Sequence, residues 1–330
     1  MSEQNAKIYS SLMDMIAISM AVGQGIRVIL GSLIAFAEPK LTAICDPSFI
    51  DMLFKAAECL VYFLGLVIPM NIFIKMNKNA EKEIYEPVKT EKVTVIRSLV
   101  SIGFFLGLII LSSFINSFLV GSLGNYNDFS ANVLWAAELD HAYQIIFYIA
   151  LRVILPAFLE EYFFRGMVCK SLSVYGKGTA ILASAALFSM MHADFSQMLY
   201  SFVAGVLLGF LYLESENIAY PILLHLINNG IFAVGNVIRA QLGSAVYDGY
   251  MLYAMAAISL VFLICAAVFI VITIKKGELI DKLVLKPDEN GYPVSPLSAR
   301  ERVSGFFSRG VVLYLSYAIF RAIYLIYLGM

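Results

Sequence analysis

Eight apolar runs and a weaker ninth limit what this chain can fold into. They lie at about 12–36, 52–75, 98–121, 141–169, 179–194, 198–213, 218–238, 250–274 and 307–329. A helix that crosses a bilayer needs about 20 mostly apolar residues, and these runs meet or approach that length. Backbone polar groups in lipid must be satisfied within the segment, so the runs are expected to be helices. Composition agrees: 60% of the 330 residues are hydrophobic and only 14% are charged, with mean hydropathy +0.81. A soluble domain carries about twice that share of charge. The expected fold class is therefore all-α, a polytopic transmembrane helix bundle of eight spans plus a possible ninth.

Charge distribution orients such a bundle. Lys75, Lys78, Lys82, Lys89, Lys92 and Arg97 crowd the segment 75–97, and Lys275, Lys276, Lys282, Lys286, Arg300 and Arg302 the segment 275–302. Arg165, Lys170 and Lys177 mark a third basic turn, whereas 122–140 has no Lys or Arg. By the positive-inside rule the N-terminus is expected in the cytoplasm of an integral membrane protein, in the plasma membrane if the source is bacterial. The polar opening Met1–Tyr9 lacks the pattern of a cleaved signal peptide. A net charge of −1 gives no footing for a nucleic-acid partner. The lipid bilayer itself is the expected surroundings. Trp135 and Tyr126 fit an interfacial aromatic belt. Cys45, Cys59, Cys169 and Cys265 show no metal or disulfide spacing, and the three in or beside apolar runs read as small hydrophobic residues. Pro287, Gly291, Pro293 and Pro296 mark 277–305 as a linker to the last run, in which Arg309 and Arg321 leave either a span or an interfacial helix open.

The runs contain residues that cost free energy in a bilayer, and such residues usually face a cavity or a partner. The fourth run reads ILPAFLEEYFFRGMV. Glu161 and Arg165 are four apart, on one helix face and within pairing reach. Glu160 points about 100° away and lacks that partner, which suits it to general-base work. The fifth run ends at His192 and the seventh holds His225 and Asn229, four apart on one face. Asn228 lies on another flank and is the weaker candidate. His141, beside Asp140, reads as interfacial. Counting 1.5 Å per residue from the cytoplasmic ends places Glu160 about 18 Å, His192 about 20 Å, His225 about 10 Å and Asn229 about 16 Å inward, depths compatible with one shared cavity. The same residues could also bridge helices without chemistry.

Three motifs in order, EEYFFR at 160–165, FSMMH at 188–192 and HLINN at 225–229, resemble the Glu-Glu-x-x-x-Arg, Phe-x-x-x-His and His-x-x-x-Asn patterns of the CPBP family. That family includes the type II CAAX prenyl endopeptidases and the bacterial Abi proteins. The resemblance covers about 143–238 and implies intramembrane hydrolysis of peptide bonds. It assigns Glu160 and His192 to water activation, His225 and Asn229 to the oxyanion, and Glu161 and Arg165 to support. It divides the chain into N-terminal helices (1–139), a catalytic core (140–240), a final core helix (241–276) and a linker with a C-terminal apolar helix (277–330). A peptide or membrane-protein substrate, prenylated or not, is the expected partner. No cofactor is favoured; the alternative is zinc held by Glu160, His192 and His225. Competing functions are a non-enzymatic scaffold, a sensor partner or a bacteriocin-immunity protein that uses the polar cluster for packing. A solute transporter would show inverted repeats, and none is visible.

Overall fold

The structure, a computed structural model, describes residues 2–77, 103–112, 115, 139–276 and 297–327. Every regular element among them is helical. In chain order they are α1 (Ser2–Thr42), α2 (Pro47–Met76), α3 (Gly103–Ser112), α4 (Ala142–Tyr175), α5 (Lys177–His192), α6 (Phe195–Ser215), α7 (Ala219–Leu242), α8 (Ser244–Lys276), α9 (Ala299–Phe306) and α10 (Arg309–Tyr327). Trp135, Tyr126 and most of the loops used for orientation lie outside the described residues.

The all-helical expectation holds, with fewer spans than expected. Among the described residues six helices are long and apolar enough to cross a membrane: α1, α2, α4, α6, α7 and α8. A seventh arises if α9 and α10, bent by 58° at their junction, count together. The run at 179–194 becomes α5, whose 16 residues extend only about 24 Å, less than the hydrocarbon core. The run at 98–121 is described only over α3 and residue 115. The stretch read as linker is also shorter than expected, because its end folds as α9. Ser298 accepts from the Glu301 backbone N–H at 3.2 Å while Glu301 accepts from Ser298 at 2.7 Å, a capping box that starts the helix.

One buried cluster joins α1, α2, α4, α5 and α10. Asp14 of α1 accepts from the backbone N–H of Gly310 at 2.7 Å, which fixes the start of α10 against α1. Tyr314 and Ala318 of α10 are then buried in the cluster. A smaller cluster packs α3 on α6 and α7. The N-terminal helices are thus packed directly on the segment that carries the motifs.

α5 and α6 form the tightest crossing on the motif segment. A Cβ on Gly205 would sit 2.9 Å from both the Cα and the Cβ of Ala185, so backbone must shift to admit it. A Cβ on Gly209, one turn on, would make ordinary contacts of 3.6 Å and more with Ile181. Small residues at such crossings let helices approach where no hydrophobic driving force pulls them together. Gly205→Ala is therefore expected to destabilise the protein by about 1–3 kcal/mol, whereas Gly209→Ala is neutral or slightly stabilising through helix propensity. Thermal unfolding of the two variants in detergent, side by side, checks this.

Candidate active site

α4 is continuous but not uniform. It holds two π-helical stretches, Ala150–Ile154 and Tyr162–Cys169, on either side of the α-helical Leu155–Glu161. Pro156 has no N–H to donate, and the preceding Leu155 N–H reaches back five residues to the Ala150 carbonyl. Wider turns of this kind recur at functional sites. The two glutamates lie at the end of the α-helical stretch they flank.

Glu161 and Arg165 pair as their spacing predicts, with Oε2 and Nε 3.1 Å apart and both side chains 0% exposed. The contact is close, but its alignment is not that of a hydrogen bond. Two further contacts hold the guanidinium: Nη2 donates to the Gly205 carbonyl at 3.5 Å, and the group lies 4.5 Å over the Phe188 ring. The other oxygen of Glu161 meets Nδ1 of His225 at 2.8 Å. One carboxylate thus serves both the arginine and a histidine from a different helix. With Nδ1 committed to a carboxylate, Nε2 is the ring nitrogen His225 has for other partners.

The last carbonyls of α5 have no backbone donor within the helix and need other partners. Each has one. Gln24 of α1 donates to the Met191 carbonyl at 2.7 Å, the Ala193 N–H donates to Met190, and His192 Nδ1 donates to Phe188 at 2.9 Å. Ala193 closes the helix in the left-handed conformation, φ 47°. A carbonyl can only accept, so the Nδ1 bond fixes the neutral tautomer of His192 and puts its lone pair on Nε2. Phe188 meets both imidazoles edge-on, at 4.9 Å from His192 and 6.3 Å from His225.

Glu160, His192, His225 and Asn229 line one cavity of about 380 Å³. Glu161 and Arg165 stand behind it, fully buried and off its wall. Glu160 is 5% exposed, and its Oε1 accepts from the Tyr62 hydroxyl of α2 at 2.5 Å. Sequence reasoning left Glu160 without a partner and missed Tyr62, a tyrosine in an apolar run that no motif singles out. It also set Asn228 aside on another flank. The structure puts Asn228 on the cavity wall, more buried than Asn229, where its amide nitrogen donates to Tyr200 and, at 3.1 Å, to Asn229 Oδ1. A 100° offset does not remove a residue from a cavity that reaches both α6 and α7. His141 lies apart, at the start of α4, stacked on Tyr143 at 5.6 Å.

A catalytic zinc held by Glu160, His192 and His225 would require the three to converge on one point. Among the described residues no three His, Cys, Asp or Glu side chains do so. Glu160 Oε1 is bonded to Tyr62 instead.

Comparison with known families bears on the same segment. Residues 142–231 match the family model described as type II CAAX prenyl endopeptidase Rce1-like. The match contains all seven motif residues and agrees with the resemblance read from them. The membrane-embedded CAAX protease MroQ of Staphylococcus aureus (strain USA300) is 28% identical over 95 residues, 27% of this chain. The aligned part is 38% of that relative's length. No solved structure matches the chain significantly. The apolar helices and this family together make the chain an integral membrane protein with a CAAX-protease-like segment.

Removing Arg165 would take from the fully buried Glu161 the fixed cation beside it and leave His225 as its remaining partner. Arg165→Leu is expected to cost about 3–5 kcal/mol of stability. Glu160→Gln, which keeps shape and hydrogen-bonding capacity at the cavity wall, is expected to unfold within about 1 kcal/mol of wild type. Melting temperatures of both variants in one detergent check the contrast.

Proposed function

We propose that the chain is an intramembrane endopeptidase that hydrolyses peptide bonds with a water activated by Glu160 and His192. The observation that carries this reading is that all four chemically able side chains line one cavity. A carboxylate and a neutral imidazole can together take a proton from water and pass it to the leaving amine. His192 is supplied for this with a lone pair on Nε2. The attacked carbonyl becomes an oxyanion, which needs donors already in place. Asn229 offers its amide N–H groups. His225 offers Nε2–H in its imidazolium form, whose charge Glu161 opposes from the other side of the ring. Glu161 and Arg165 touch no substrate in this scheme; they hold His225 in orientation. A buried, low-dielectric setting strengthens each of these interactions.

The Rce1-like match and the CAAX protease relative support a peptide or protein substrate. We place the N-terminus in the cytoplasm on the charge pattern of the loops, with the protein in the plasma membrane if its source is bacterial. A prenylated protein is one candidate substrate; an unmodified peptide or membrane protein is another.

In proteoliposomes with an internally quenched peptide library, wild type is expected to cleave. Glu160→Ala and His192→Ala should lose at least about 100-fold of that rate in protein that still unfolds cooperatively, although each gives up a buried hydrogen bond. Asn229→Ala should lose about 100-fold in kcat with a smaller change in KM. Cleavage by Glu160→Ala at the wild-type rate refutes the reading. The metal-free scheme has its own check: activity persists after exhaustive chelation, and purified active protein carries less than stoichiometric zinc. Loss of activity on chelation, restored by zinc alone, establishes the zinc alternative instead.

A further inference from the structure

The proposed base is held from outside the matched segment. Glu160 lies within residues 142–231, but the hydroxyl bonded to its Oε1 belongs to Tyr62 of α2. Tyr62 lines the same cavity, so its hydroxyl meets the carboxylate at the wall where substrate would lie. A carboxylate in a cavity of this size has several rotamers open to it. One fixed donor on Oε1 selects among them and leaves Oε2 to receive a proton.

Tyr62 is itself held in place. The Arg27 guanidinium of α1 lies 4.8 Å over its ring, a cation–π contact that strengthens where water is excluded. Arg27 Nε is buried and has no hydrogen-bond partner among the described residues, so this ring face is a main contact of the group. Arg27 can lie there because residue 65 has no side chain. A Cβ on Gly65 would sit 2.7 Å from Cγ and Nε of Arg27. Gly23 does the same for the backbones, since a Cβ there would run into the Gly65 carbonyl and Pro69. Two glycines therefore bring α1 against α2, and the resulting slot seats an arginine on a tyrosine that reaches the glutamate.

A cation placed in an apolar helix costs several kcal/mol unless it has a partner. Arg27 takes its place beside a ring that touches the proposed base, rather than in an ion pair remote from it. We infer that Tyr62, seated by Arg27 across the Gly23–Gly65 crossing, is a positioning residue for Glu160, and that α1 and α2 belong to the catalytic apparatus. This rests on the peptidase reading above. It extends the working unit beyond the segment that the family match covers.

The test uses the full chain in proteoliposomes with the internally quenched peptide library, followed on the peptides wild type cleaves fastest. Tyr62→Phe removes one oxygen atom and keeps the ring. It is expected to lower kcat about 10- to 100-fold with KM within about 3-fold, the signature of a misplaced catalytic group. Arg27→Gln should lower kcat in the same sense by a smaller factor, and Arg27→Lys, which keeps a cation over the ring, should recover most of that loss. In the Tyr62→Phe background Arg27→Gln should add nothing, because its effect passes through the missing hydroxyl. Wild-type kcat in Tyr62→Phe, or losses that multiply in the double variant, overturns the inference. If Arg27→Gln fails to fold, Tyr62→Phe and Arg27→Lys still decide it. Glu160→Ala in the same assay separates the two levels. Full activity there sinks the peptidase reading itself, whereas an inactive Glu160→Ala beside a fully active Tyr62→Phe sinks only this inference.

Discussion

Glu161, fully buried between Arg165 and His225, is the interaction on which the site depends. A carboxylate in an apolar interior must be paired or it will not persist as a charge. Here two partners come from different places: Arg165 one helical turn on, and His225 from α7. That shared oxygen pair ties α4 to α7. The Arg165 guanidinium in turn reaches the Gly205 carbonyl of α6 and lies over Phe188 of α5. Four helices are therefore fixed around one ionised group that does not reach the cavity. The residues that do reach it inherit their placement from this buried frame.

The same requirement bears on the end of α5, a helix too short to cross the hydrocarbon layer. A helix end in lipid exposes carbonyls that water cannot reach, so each must be met by a side chain or a turn. Gln24, the His192 ring and the Ala193 N–H together meet the carbonyls of Met191, Phe188 and Met190. One consequence is chemical. The ring bond to Phe188, one turn back within the helix, fixes which nitrogen of His192 carries the proton.

Much of the site was legible because charge and imidazole are rare in apolar helices. The i,i+4 spacing of Glu161 and Arg165 predicted their pairing, and the depth count predicted a shared cavity for Glu160, His192, His225 and Asn229. What spacing within one helix cannot show is which side chain from another helix completes a pair. Tyr62 is one tyrosine among 19 and carries no charge, so nothing in the sequence distinguishes it. Arg27 was within reach of the argument, since an arginine inside the first apolar run breaks the same rule that flagged Glu160. A helical wheel set Asn228 on another flank, but this cavity is wide enough to take two neighbouring asparagines. In the fold, the Ser298–Glu301 capping box announced α9, but the prolines before it dominated the reading of that stretch. The short α5 was counted among the eight spans although its apolar run, 179–194, is itself only 16 residues long, the length of the helix it forms.

The central claim is that water, and not a protein side chain, attacks the peptide bond. It is tested most directly by a single turnover of wild type in water enriched in oxygen-18, with mass spectrometry of both product and enzyme. Direct attack places one heavy oxygen in the new C-terminal carboxylate of the product and none in Glu160. Heavy oxygen in the Glu160 side chain, with unlabelled oxygen passed to the product, would show that the carboxylate attacks as a nucleophile and would contradict the account.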